Sequence, residues 1–237
     1  MFLQYIFLTL GILVTVLFLS KRKANVTLNV VIIKSFASIL FIATGAFGFA
    51  GNPAFDTYSG ILMIIGAVFG LLGDIILDLK YVYPKDKDTY LYCGFISFLI
   101  GHLLYGASMI KLLGFGLDNV FNMILGFIAM CLFAIFSPKI MGLTYGKFKT
   151  ITVIYTATAG SLVGLGFSYM LSEGFSLQTI LFYAGMILFL ASDGVLGKIY
   201  FSNKEKDRTS RFNIVLNHAL YYAAQFLIAM SISFYHV

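Results

Sequence analysis

Eight apolar runs, each about as long as a bilayer is thick, follow one another along this chain with short polar links between them. They cover about 2–20, 28–48, 57–79, 90–110, 118–136, 148–170, 178–201 and 211–235. A helix needs roughly 20 apolar residues to cross about 30 Å of hydrocarbon. Inside lipid a spanning segment must satisfy its own backbone hydrogen bonds, which a helix does. The pattern predicts an all-α integral membrane protein of eight transmembrane helices, folded as a single transmembrane domain over 1–237. Composition closes off a soluble alternative. The chain is 60% hydrophobic and 11% charged, with a mean hydropathy of +0.94. A soluble domain carries about 25% charged residues.

The links set an orientation. Those after the first, third, fifth and seventh runs hold Lys21, Arg22 and Lys23; Lys80, Lys85 and Lys87; Lys139, Lys147 and Lys149; and Lys198, Lys204, Lys206, Arg208 and Arg211. Of the 16 basic residues only Lys34, inside a run, and Lys111, on the other side, lie elsewhere. Basic links stay cytoplasmic, so both termini are expected outside, in a multi-pass protein of the cell membrane. The first run has no basic residue before it and a basic cluster after it, which reads as an anchor and not as a secretory signal peptide. The net charge of +6 is scattered over separate inner links, with no nucleic-acid footprint. Link 202–210 reads as a solvated loop. Cys93 and Cys131, both in apolar runs, read as small buried hydrophobes. Gly160, Gly164 and Gly166 would let helices pack closely.

A second pattern is internal. With Asp74 aligned on Asp193, Gly66 falls on Gly185, Leu71 on Leu190 and Leu77 on Leu196. Each aspartate is followed one run later by H-x-L-Y-x-A: His102 to Ala107, and His218 to Ala223. The paired helices run in the same direction, so the chain is expected to hold two parallel four-helix repeats, about 1–116 and 117–237.

Ionisable groups inside spanning helices are costly and usually face a cavity or one another. Here they are Lys34, Asp74, Asp78, His102, Asp193 and His218. Under this topology all six lie in the cytoplasmic half or near the middle, so one polar chamber is expected. Asp74 and Asp78 share a helix face, as do His102 and Tyr105, and His218, Tyr221 and Gln225, with Tyr222 beside the last stripe. Asp78 and Lys34 are also placed to snorkel to the inner interface, and Asp74 and Asp193 to pair with Lys34.

At Gly73-Asp74, His102-Leu-Leu-Tyr105, Ser192-Asp193 and Tyr221-Tyr222-Ala-Ala-Gln225 the chain resembles the YhhN family of lysoplasmalogenases, in order and over nearly its whole length. Lys34 resembles the family's helix-2 lysine, with Ser35 where proline is usual; Asp78 matches no family signature. The resemblance implies hydrolysis of the vinyl ether bond of lysoplasmalogens, giving a fatty aldehyde and glycerophosphoethanolamine or glycerophosphocholine. That chemistry needs an acid to protonate the alkene, an anion to stabilise positive charge and a base for water. Two carboxyls withdrawn from water divide such roles between them. Asp74 and Asp193 are the expected catalytic pair. Lys34, Asp78, His102, Tyr105, His218, Tyr221, Tyr222 and Gln225 are expected to bind substrate or relay protons. No cofactor or metal is called for; the partners are a lysophospholipid and membrane lipids.

Two other readings stand beside this one. A zinc ion on His102, His218, Asp74 and Asp193 would make a metal-dependent lipid hydrolase, although H-E-x-x-H is absent and His236 sits at the wrong end. A parallel repeat with buried acids also suits a proton- or lipid-coupled transporter. Against that, Pro53, Pro84 and Pro138 all fall at links or helix ends. The absence of G-x-S-x-G argues against a conventional esterase.

Overall fold

The computed structural model describes residues 2–24 and 26–235; His236 lies outside them. Among the described residues, eight helices are long and apolar enough to span a membrane: α1 (Leu3–Lys21), α2 (Leu28–Ala50), α3 (Thr57–Val82), α4 (Lys87–Leu113), α5 (Leu117–Met141), α6 (Lys149–Ser172), α7 (Leu177–Phe201) and α9 (Arg211–Ser231). They correspond one to one with the eight apolar runs. Link 202–210 contains a ninth, short helix, α8 (Glu205–Thr209).

The largest boundary difference is in α5, which continues past 136 and through Pro138 to Met141. Proline has no N–H to give the carbonyl four residues back. The hydroxyl of Ser137 donates to that carbonyl, Ala134 O, at 3.0 Å, so the last turn keeps its bond. Gly142, left-handed at φ 63°, then ends the helix in the usual way.

The helices pack as consecutive antiparallel pairs: α1 on α2, α3 on α4, α5 on α6, and α7 on α9. The pairs join through α2 on α3, α6 on α7, α2 on α9 and α4 on α6. Exchanging each helix of the first half for its counterpart in the second turns the α2–α9 contact into the α6–α4 contact. On that ground we propose the two parallel repeats, 1–116 and 117–237. α5 packs on α6 and stands away from the rest of the bundle. Gly126, Gly160 and Gly164 make the α5–α6 approach possible: a Cβ on any of them would collide with the opposite backbone. Gly166 instead faces the rings of Tyr183 and Phe182.

The basic links meet at one end of the bundle. Leu143 and Ser202 form an antiparallel bridge, Lys147 pairs with Asp88 at 2.7 Å, and Arg211 donates to Ser20 O. At the other end Asn52 donates to the carbonyls of Ile232 and Tyr235. The first end is the one we assign to the cytoplasm. The cysteines correct the expectation of burial: both are free, Cys93 exposed and Cys131 half-exposed. A bundle facing lipid is apolar outside as well as inside, so a small apolar side chain has no reason to turn inward.

Candidate active site

Lys34 is the centre of the polar cluster. It lies two turns into α2, is buried, and meets two carboxylates one turn apart on α3. Its Nζ is 3.2 Å from Asp74 Oδ1 and 3.3 Å from Asp78 Oδ2, and it also donates to Asp74 O at 3.2 Å. Asp78 does not reach for the interface. It is 1% exposed, and its other oxygen takes Arg22 Nη2 at 3.1 Å. Arg22, from the basic cluster after α1, is itself buried. Two cations and two carboxylates therefore balance, as buried charges must to be tolerated.

Asp74 receives further donors from both sides. Ser38 Oγ donates at 2.6 Å from α2, and Tyr221 OH at 2.9 Å from α9. Tyr222 donates to Lys34 O at 3.0 Å and lies 3.0 Å from Ser38 Oγ, fixing the turn of α2 that carries both partners of Asp74. A hydrogen-bond chain extends outward: Tyr105 OH donates to Gln225 Oε1 at 3.0 Å, and Gln225 Nε2 donates to Tyr221 OH at 3.3 Å. The tyrosines of the two H-x-L-Y motifs thus meet through Gln225. Gly70 keeps the α3 surface low beneath Gln225 and Tyr221.

Asp193 differs. Among the described residues it has no cation partner; one oxygen accepts Tyr155 OH from α6 at 2.9 Å. Ser192 beside it is clamped to α9: its hydroxyl donates to Asn217 O at 3.1 Å, and Asn217 Nδ2 donates to Ser192 O at 2.8 Å. His218 follows Asn217. Its Nδ1 donates to Ile214 O at 2.7 Å, which leaves Nε2 as an acceptor.

Lys34, Asp74, Asp193, His218 and Tyr221 line one cavity of about 30 Å³. A water needs about 10–15 Å³ of such space and several polar partners, so the cavity suits one or two waters and excludes a lipid chain. Asp193 also lines a second space, a cleft of about 50 Å³ between α5, α6 and α7, whose walls include Met130, Phe133, Leu190, Gly194 and Gly197. A side chain on either glycine would meet open space. His102 is set apart from this group. Its ring packs edge-on to Phe189 and Tyr155, at 4.7 and 5.1 Å between centroids. It touches the ring that bonds Asp193.

Arg22, Ser38, Tyr155 and Asn217 were not singled out from the sequence. Arg22 stands between two lysines in a link, and Tyr155 is one of 15 tyrosines. Position was the one available signal for Tyr155: it lies as deep in its helix as Asp193 does in the next.

Eight spanning helices around a buried, charge-balanced cluster and one further carboxyl define a multi-pass integral membrane protein with an internal polar cluster. The YhhN family model matches residues 29–232. The chain belongs to the YhhN family, the family of the TMEM86 lysoplasmalogenases, which is associated with hydrolase activity. Neither the curated proteins nor the solved structures contain a match.

Proposed function

We propose that the protein is a membrane-embedded lysoplasmalogenase, hydrolysing the vinyl ether bond of a lysoplasmalogen to a fatty aldehyde and glycerophosphoethanolamine or glycerophosphocholine. The supporting observation is the position of Asp193. Its carboxyl faces an apolar cleft on one side and, on the other, a water-sized cavity shared with Asp74. A vinyl ether reacts where an acid meets an apolar chain and water waits on the far side.

In this scheme Asp193, with no cation beside it among the described residues, donates its proton to the alkene carbon farther from the ether oxygen. The π electrons form the new C–H bond, and the ether carbon becomes part of an oxocarbenium ion. Asp74 supplies the negative field that stabilises it, held in place by Lys34, Ser38 and Tyr221. Water from the cavity adds its oxygen to the ether carbon and gives its proton to Asp74, from which it returns to Asp193 through cavity water. The hemiacetal then releases the glycerol oxygen as an alcohol and leaves the aldehyde. His218 Nε2 orients the water. Lys34, expected from the sequence to bind substrate or relay protons, is engaged by both carboxylates of α3, and its part in this scheme is to position Asp74.

The test is direct. Purified protein in detergent is given a lysoplasmalogen and, separately, an ester lysophospholipid of equal chain length. Aldehyde from the first and no fatty acid from the second is expected. Fatty acid from the ester with no aldehyde from the ether would overturn the reading.

A further inference from the structure

With Lys34 engaged by two aspartates, the anionic phosphate of a lipid needs another cation. A cavity of about 400 Å³ opens at the basic end of the bundle, between the end of α3, the starts of α4 and α6, and the end of α7. Lys80, Lys87 and Lys147 line it. It contains one carboxylate, Asp88, which is paired with Lys147, so an excess of positive charge is left over. Lys80 is half-buried and, among the described residues, has no carboxylate partner. Its Nζ lies 2.9 Å from the centroid of the Tyr200 ring and 4.8 Å from that of Tyr81. Such a cation is attracted by the ring faces but has N–H donors to spare. The first turns of α4 and α6 add their positive ends to the same wall.

The cavity adjoins both spaces described above. Tyr200 lines it and the water-sized cavity, while Tyr145 lines it and the apolar cleft. Along α3, Lys80 lies six residues beyond Asp74, about 9 Å at about 1.5 Å per residue. In a lysoplasmalogen seven bonds separate phosphorus from the alkene carbon farther from the ether oxygen, a comparable span of about 8 Å at the roughly 1.2 Å per bond of an extended chain.

We propose that the cavity of Lys80, Lys87 and Lys147 binds the phosphate of a single-chain phospholipid whose chain starts past Tyr145 at the cleft between α5 and α7, which at about 50 Å³ takes only its first carbons. The site deepens the lysoplasmalogenase reading, from which it takes the position of the bond to be cut. Its own test needs no turnover.

Equilibrium binding to the purified protein in a non-ionic detergent is measured for ester-linked lysophosphatidylethanolamine. The comparison ligands are a monoacylglycerol of the same chain, glycerophosphoethanolamine, and diacyl phosphatidylglycerol. The lysophospholipid is expected to bind at least about tenfold more tightly than the monoacylglycerol, as one charge-assisted phosphate contact provides. Lys80→Gln should reduce that preference to within about twofold. The exposed pair Lys87→Gln and Lys147→Gln, which disturbs no packing, should weaken lysophospholipid binding and spare the monoacylglycerol. Equal affinity for the two chains in the unaltered protein would overturn the site. So would an undiminished preference in folded Lys80→Gln protein or in the exposed double variant. Tight glycerophosphoethanolamine binding would make it a site for soluble phosphates, and equal phosphatidylglycerol binding a site for structural lipid; either result defeats the assignment. If the binding pattern holds while no aldehyde forms from a lysoplasmalogen, the reaction reading falls and the phosphate site stands.

Discussion

Lys34 holds two aspartates at once, and these differ in what their loss should do. Asp74→Asn and Asp193→Asn are each expected to lower vinyl ether hydrolysis by about 10²–10⁴-fold, the usual contribution of a general acid or base. The double variant should be little worse than either, because groups acting as a unit are not additive. Asp193→Asn should keep its thermal stability, having no cation to strand; Asp74→Asn should lose some. Normal turnover in either folded single variant would return that residue to a structural part. Asp78 belongs to a different experiment. Arg22→Gln and Asp78→Asn should each destabilise the protein by about 3–5 kcal/mol, since each leaves a buried charge short of its partner. The double variant should cost clearly less than their sum, and additive losses in a thermal-unfolding cycle would deny the pair. Lys34, Asp74 and Asp193 were legible because a charge in an apolar run has little to hide behind. Arg22 was not, because a basic residue flanked by Lys21 and Lys23 looks like any cytoplasmic link. Asp78 was legible as an intramembrane acid but not as Arg22's partner, since snorkelling and ion pairing leave the same sequence trace.

Among the elements, α3 carries both carboxylates that Lys34 holds and starts from a well-made end. Asp56 caps it, accepting Ser59 N and Ser59 Oγ, both at 2.8 Å. These bonds, the backbone one first and then the hydroxyl, hold the Asp56 carboxyl below the usual carboxylate range. A lowered folded pKa gives stability that is complete above the unfolded value and lost as pH falls through the folded one. The cap should therefore hold from neutral pH down to about pH 4 and fade below it. Asp56→Ala should cost about 0.5–2 kcal/mol at neutral pH, and the difference from the unaltered protein should shrink in acid. An unchanged difference at low pH would show that the cap is not acting through its charge. The existence of each spanning helix could be read from apolar length alone, and close packing of α6 from Gly160 and Gly164 at helical spacing, but not that α5 is the helix packed there. The true end of α5 could not: Pro138 signals a stop, and only the hydroxyl of Ser137, placed over the Ala134 carbonyl, lets the helix continue.

At the scale of the whole molecule, the basic links gather at one end, and the expected orientation puts that end in the cytoplasm. Single cysteines placed in 202–210, in a variant lacking Cys93 and Cys131, should react with a membrane-impermeant reagent only from the cytoplasmic side. Labelling from outside would reverse the bundle and take the lysine cavity to the other leaflet. Which helices neighbour one another was beyond the sequence, because apolar runs in lipid carry no inside–outside stripe strong enough to say what each one faces. The separation of α5 from α7 emerges only in three dimensions. It has a consequence for how the proposed reaction would end. The cleft is walled mostly by apolar side chains of α5, α6 and α7, and the lysine cavity lies at the basic end of the bundle. Cutting the bond between them would leave an oily aldehyde facing the bilayer and a doubly hydrophilic alcohol facing the cytosol. Each product would drain into the phase that dissolves it, and neither would have to pass the other to leave.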